Sequence, residues 1–117
     1  MRNLVISFLL LLLPISIFSQ EEICVENEIC VVCFNASFNK ANGIDWMPEL
    51  TDCVIYDVDI MEQSDLQKEH KIVVVPTILI LDDGVEVARF QANIMMTMEA
   101  TREEVQESID EIIMSKF

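Results

Sequence analysis

Residues 29–34 read Ile-Cys-Val-Val-Cys-Phe, six apolar side chains in a row between Glu28 and Asn35. A strand sends successive side chains to opposite faces, so a run with no polar member has both faces buried. Such a strand needs a packed layer above and below its sheet. That requirement selects an α/β architecture with residues 29–34 near the sheet centre.

The rest of the chain supplies the neighbours. Residues 53–58, Cys-Val-Ile-Tyr-Asp-Val, predict a second strand. Residues 72–81 are a long β-branched run holding Pro76, and residues 85–91 alternate apolar and polar like a half-exposed strand. Asp83-Gly84 between them is a hairpin signal. Ser64-x-x-Gln67 and Thr101-x-x-Glu104 have capping-box spacing. The first predicts a helix from residue 64 to about residue 70. After the second, Val105, Ile109, Ile112 and Ile113 share one helical face. Residues 44–50, with Trp46, Met47 and Leu50, predict a short helix that Pro48 kinks or opens. Residues 35–42 are polar and loop-like. The predicted order is β-α-β-α-β-β-α, a central mixed sheet flanked by helices.

Arg2 and the apolar residues 4–18 have the form of a secretory signal peptide. The run falls short of the ~20 residues that span a bilayer; an uncleaved anchor is the alternative reading. Cleavage after Ser19 leaves 98 residues. The expected organisation is a signal peptide over 1–19, an N-terminal extension over 20–28 and one domain over 29–117. The expected location is the secretory pathway, extracellular or ER lumen, with no membrane contact once the signal is removed. Residues 20–117 hold 6 basic and 21 acidic side chains, a net charge of −15. Nucleic acid and anionic lipid call for the opposite sign, so neither is an expected partner.

Four cysteines, Cys24, Cys30, Cys33 and Cys53, meet an oxidising compartment in a secreted chain. They allow three complete pairings, among which sequence does not choose. If Cys30 and Cys33 lie on one strand, their Cα atoms are about 10 Å apart at ~3.3 Å per residue, beyond the ~7 Å reach of a disulfide. They then serve as small buried hydrophobes.

The stretch Asp57-Val-Asp-Ile-Met-Glu-Gln-Ser-Asp-Leu-Gln-Lys-Glu-His-Lys-Ile-Val-Val-Val-Pro-Thr77, and its continuation to Phe90 through Asp83-Gly84, resembles the second half of a thioredoxin domain. Phe34-Asn-Ala-Ser-Phe38 resembles that family's strand end before its active site, and Met47-Pro-Glu-Leu50 its active-site helix. The resemblance runs over about residues 29–117. It implies a thioredoxin-like fold with Pro76 in cis opposite the active site, and it sets Cys30 and Cys53 at the starts of adjacent strands. On that basis Cys24, Cys30 and Cys53 are the disulfide candidates.

Three departures matter. In this register the family's C-x-x-C falls on Asn39-Lys40-Ala41-Asn42, which has no cysteine. The Cys53 strand follows Leu50 almost at once, which removes about two turns of the active-site helix. Too few residues precede Ile29 for the family's first strand and helix. A rival register places the redox pair at Cys30-Val-Val-Cys33, but it buries the carboxylate-rich residues 21–28 as the central strand, a far costlier choice. The resemblance therefore implies a redox-inactive domain. It would bind a peptide or protein partner through Asn39, Lys40, Ala41, Asn42 and the Val75-Pro76-Thr77 edge, with no cofactor or metal. A thiol–disulfide oxidoreductase using Cys30 and Cys33 is the alternative.

Asn35-Ala-Ser37 is an N-glycosylation sequon at a strand exit. His70, the only histidine, is expected at a surface helix end. Asp57, Asp59, Asp82 and Asp83 lack the spacing of a calcium loop and read as solvated edges. Met95, Met96 and Met98 are expected to fill core gaps; a soft peptide-binding surface is the sharper alternative.

Overall fold

The computed structural model describes Cys24 and residues 28–117. The signal-peptide assignment lies outside the described residues. No helix among those described is long and apolar enough to cross a membrane.

Four strands, β1 (Ile29–Asn35), β2 (Val54–Asp59), β3 (Thr77–Asp82) and β4 (Val85–Gln91), form one mixed sheet in the order β2-β1-β3-β4. β1 runs parallel to β2 and antiparallel to β3, and its five inner residues are all buried. The all-apolar sequence of β1 has the predicted consequence: its side chains feed two separate cores. Cys30, Val32 and Phe34 join one, with Val58, Ile72, Leu79 and Leu81. Val31 and Cys33 join the other, with Ile78, Ile80, Val105 and Ile109.

One helix packs against each core. α1 (Ser64–Glu69) sets Leu66 on the first, and α2 (Arg102–Met114) buries Val105 and Ile109 in the second. Burying side chains of that size stabilises by about 1.5–3 kcal/mol each. Asp83 and Gly84 both take positive φ, as the two-residue turn joining β3 to β4 requires.

The two capping boxes behave differently. At α2, Thr101 Oγ1 accepts the Glu104 N–H at 3.2 Å and Glu104 Oε1 accepts the Thr101 N–H at 2.8 Å. At α1, Gln63 is the cap residue and makes no side-chain cap bond. Its carbonyl already accepts from Leu66 and Gln67, so Ser64 lies inside the helix and cannot cap it. Thr101→Ala is expected to cost about 1 kcal/mol in urea denaturation, while Ser64→Ala should change stability by less than about 0.5 kcal/mol.

Between β1 and β2, where the sequence predicts a loop and then a helix, the chain makes two short 3-10 turns, Ser37–Asn42 and Met47–Glu49. Pro48 sits in the first turn of the second, and extended Leu50 ends it. Met47 and Leu50 are buried in the second core. The following Thr51 is tied to α2 through both its N–H and its carbonyl by Gln106.

Candidate functional site

Cys30 is bonded to Cys24, with Cα atoms 6.1 Å apart. Cys33 and Cys53 are free thiols. Two of the three disulfide candidates therefore pair, and the strands headed by Cys30 and Cys53 are adjacent as expected, but Cys53 takes no part in the bond. Cys30 stands in register with Val54, one residue further on, so strand alternation turns Cys53 to the opposite core. Alternation also separates Cys30 from Cys33, which face different cores. Burial, with the charge of Asp57 second, pushes the Cys33 thiol up to about 12. The pair proposed for the alternative chemistry is thus one bonded sulfur and one buried, protonated thiol on the far side of the sheet.

Asn39 and Asn42 occupy the first 3-10 turn, which starts where β1 leaves the sheet. Asn39 is only 5 % exposed. Its Nδ2 lies 3.1 Å from the Met96 carbonyl, 3.2 Å from Asn35 Oδ1 and 3.5 Å from the Val75 carbonyl. Its Oδ1 accepts from Asn42 Nδ2 at 2.9 Å. Two hydrogens cannot serve three acceptors fully, so the longest contact, to Val75, is the weakest. Asn39 is a knot joining β1, the turn, the proline edge and residues 93–97. It is not an exposed contact residue.

The Val75-Pro76 peptide is cis. Val75, Pro76 and Thr77 are all buried. Thr77 Oγ1 donates to the Val74 carbonyl at 2.7 Å, and the Pro76 carbonyl accepts from Ala92 N–H at 3.0 Å. Lys40 and Ala41 are exposed. Lys40 lines a different cleft, of about 670 Å³, shared with Cys33, Asp57, Asp59 and Glu62. The seven residues expected to make one binding surface are divided between a buried knot and two separate faces.

An apolar groove lies beside the knot instead. Its cavity of about 250 Å³ is lined by Phe38, Ile60, Val73, Val75, Ile94 and Met96, among others. Its rim is strongly exposed: Phe38 66 %, Val73 77 %, Ile94 96 % and Met96 40 %. The far side of the rim is a constructed turn. Asn93 Oδ1 accepts from Met95 N, Thr97 N and Thr97 Oγ1, and Met96 takes φ +62°. A β-turn held by one asparagine side chain keeps Ile94, Met95 and Met96 out of the core. This corrects the core-filling expectation for Met95 and Met96; Met98 does pack against the second core. The sequence reading assigns Phe38, Val73 and Ile94 no place in a binding site. The available signal was an apolar Phe38 inside the polar segment 35–42 and an apolar Ile94 beside the turn-forming Asn93; Val73 lies inside the apolar run 72–75 and carries no such signal.

Other candidates also find their places. Asn35 is half-buried, and its Nδ2 faces the Asn39 carbonyl at 3.4 Å, so the sequon's acceptor nitrogen is engaged in the knot. His70 is half-buried rather than on the surface, its ring 5.7 Å from that of Phe34 and its carbonyl accepting from Arg89. Asp59 and Asp82 fall opposite the two ends of β1, so the four aspartates do not form one cluster.

No family model matches this chain, and no curated protein matches it. Solved structures do. A single-substitution mutant thioredoxin from Halobacterium salinarum aligns with TM-score 0.57 and 18 % identity, over 73 % of this chain and 74 % of that one. A thioredoxin from Nicotiana alata aligns with TM-score 0.53 and 25 % identity, over 73 % of each chain. Thioredoxin 1 from Thermosipho africanus aligns with TM-score 0.56 and 23 % identity, over 74 % of this chain and 97 % of that one. The mixed sheet with its flanking helices shares the architecture of these proteins.

Proposed function

This chain is a thioredoxin-like domain, and we propose that it works as a binding module without thiol–disulfide chemistry. The observation that carries the reading is Asn39. At the place the resemblance gives to the first active-site cysteine stands an amide, buried and hydrogen-bonded to the Met96 carbonyl. An amide does not attack a disulfide. The state of Cys30 and Cys33 supports the same reading. The ligand in this proposal is an extended apolar segment of another protein, laid in the groove between Phe38, Val73, Ile94 and Met96. Exposed apolar side chains gathered around a cavity are an ordinary mark of a binding surface. The disulfide Cys24–Cys30 supports a location in the secretory pathway, where such bonds persist; N-terminal sequencing of protein from a secreting cell checks this, with residue 20 or 21 expected first.

Two measurements test the function. Disulfide reduction of a model substrate with dithiol regeneration should show no turnover. Turnover by the native protein that Cys30→Ser/Cys33→Ser abolishes would install the oxidoreductase instead. An NMR titration with a decapeptide alternating leucine and serine should shift the amides of residues 38, 73 and 94–96. Val73→Asp should weaken that response about tenfold by placing a charge in an apolar contact. A peptide that shifts none of these amides would leave the groove without a ligand and sink the proposal.

A further inference from the structure

The two edges of the sheet are built differently. At one edge, β4 carries a register shift beside Ile80 and Leu81 and a Glu86–Arg89 ion pair, both of which discourage strand addition. At the other, β2 is regular, and among the described residues no strand pairs with its outer side. β2 is also incompletely covered. Only Val58 is buried, Ile55 and Tyr56 are half-buried, and Val54 is exposed.

The side chains of β2 sort by face. Tyr56 and Val58 belong to the first core, and Val54 shares their parity. Ile55 belongs to the second, and beyond it on that parity come Asp57 and Asp59. The acidic parity opens on the 670 Å³ cleft, where Asp57, Asp59 and Glu62 outnumber its one basic residue, Lys40. Asp59 is engaged by Ser37 Oγ and the Met61 N–H, which hold its carboxyl below the usual range. Asp57 and Glu62 make no ion pair among the described residues.

We propose that the outer edge of β2 accepts an extended segment of a partner protein in which basic and apolar residues alternate. The segment pairs as a fifth strand. Its apolar side chains cover Val54 and Tyr56 on one face. Its lysine or arginine side chains face Asp57 on the other, one of them entering the cleft. The backbone edge supplies affinity, and the alternation of β2 supplies the selection, as in other strand-addition complexes. A second copy of this chain is the wrong occupant. Each chain carries a net charge of −14, and pairing β2 with itself opposes aspartates to an acidic strand.

The test uses two blocked decapeptides, one alternating lysine and valine, the other glutamate and valine, titrated into the mature protein by NMR. The lysine peptide should shift the amides of residues 54–59 and slow their hydrogen exchange. Its affinity should fall about tenfold between ~50 and ~200 mM salt, as charge pairing is screened. Asp57→Lys should lose the lysine peptide and gain the glutamate peptide; Glu62→Gln, a milder change, should weaken the lysine peptide should the first variant fail to fold. Val73→Asp, in the apolar groove, should leave this binding unchanged, so failure at one surface is distinguishable from failure at the other. The proposal is overturned by an equal response to both peptides, by shifts confined to residues 38, 73 and 94–96, or by no shift at β2. Concentration-dependent shifts at β2 without peptide would likewise overturn it in favour of self-pairing.

Discussion

Asn39→Ala should lower the stability of the folded domain by about 2–3 kcal/mol, a large fraction of what a domain of this size possesses. The side chain is 5 % exposed and connects four segments. Its removal leaves the Met96 carbonyl and the Asn42 amide without their partner, and a buried unpaired polar group costs about 1–3 kcal/mol. The Met96 contact spans 57 residues of sequence, so its loss should also loosen residues 93–97 and with them one wall of the groove. Urea denaturation gives the first quantity and amide exchange at Met96 and Thr97 the second. Asn42→Ala, which removes only one bond of the knot, should cost about 1 kcal/mol.

Asn39→Asp sharpens the test because it keeps the shape and inverts the hydrogen bonding. A carboxylate there faces the Met96 carbonyl and Asn35 Oδ1, acceptor against acceptor. Burial and that repulsion raise its pKa above the unfolded value of about 3.9. Its destabilisation should therefore be greatest at neutral pH and shrink as the pH falls and the acid becomes a donor. An Asn39→Ala loss below about 0.5 kcal/mol, or an aspartate variant indifferent to pH, would show that the knot holds nothing together.

The sheet was legible because its signals are local and redundant. Six apolar residues in β1 specify a strand buried on both faces, and Asp83-Gly84 specifies the turn between β3 and β4. Thr101 and Glu104 mark the start of α2 within one residue. Ser64 marks the start of α1 as expected but does not cap it: the spacing fits a capping box, yet Gln63 is the cap residue, and only the backbone bonds to Gln63 reveal it. The candidate site was less legible. Asn39, Lys40, Ala41 and Asn42 are adjacent in sequence but go to different environments, because the 3-10 turn is broken at Asn39. The groove gathers Phe38, Val73 and Ile94 from three distant segments, a juxtaposition that no local period encodes. Of the disulfide candidates Cys24, Cys30 and Cys53, the first two do pair, but the exclusion of Cys53 was equally illegible. It depends on a one-residue register between β1 and β2, which sets Cys30 beside Val54 and leaves Cys53 on the other face.

Above pH 9 the native protein should lose stability with a steeper slope than its Cys33→Val variant. In the folded state the Cys33 thiol titrates near 12, first because it is buried and second because Asp57 is close; its ordinary value is 9.0. Between those values the unfolded chain releases the proton and the folded one keeps it. The unfolded state then binds fewer protons, so unfolding becomes easier as pH rises, by about 1.4 kcal/mol per pH unit. The full loss approaches about 4 kcal/mol if folding survives to pH 12, and below pH 9 this thiol adds no pH dependence. Cys53 is also raised, by burial and then by Asp52, and pulls in the same direction in both proteins. The difference between native and Cys33→Val slopes at pH 8, 9 and 10 therefore isolates Cys33. Labelling reads the same property in the folded state: at pH 8 iodoacetamide should modify half-buried Cys53 and spare Cys33 until urea unfolds the chain. Equal slopes, or rapid native labelling of Cys33, would mean that its sulfur reaches solvent as a thiolate. The binding-module reading would then lose one of its two supports among the cysteines, leaving only the bond between Cys24 and Cys30.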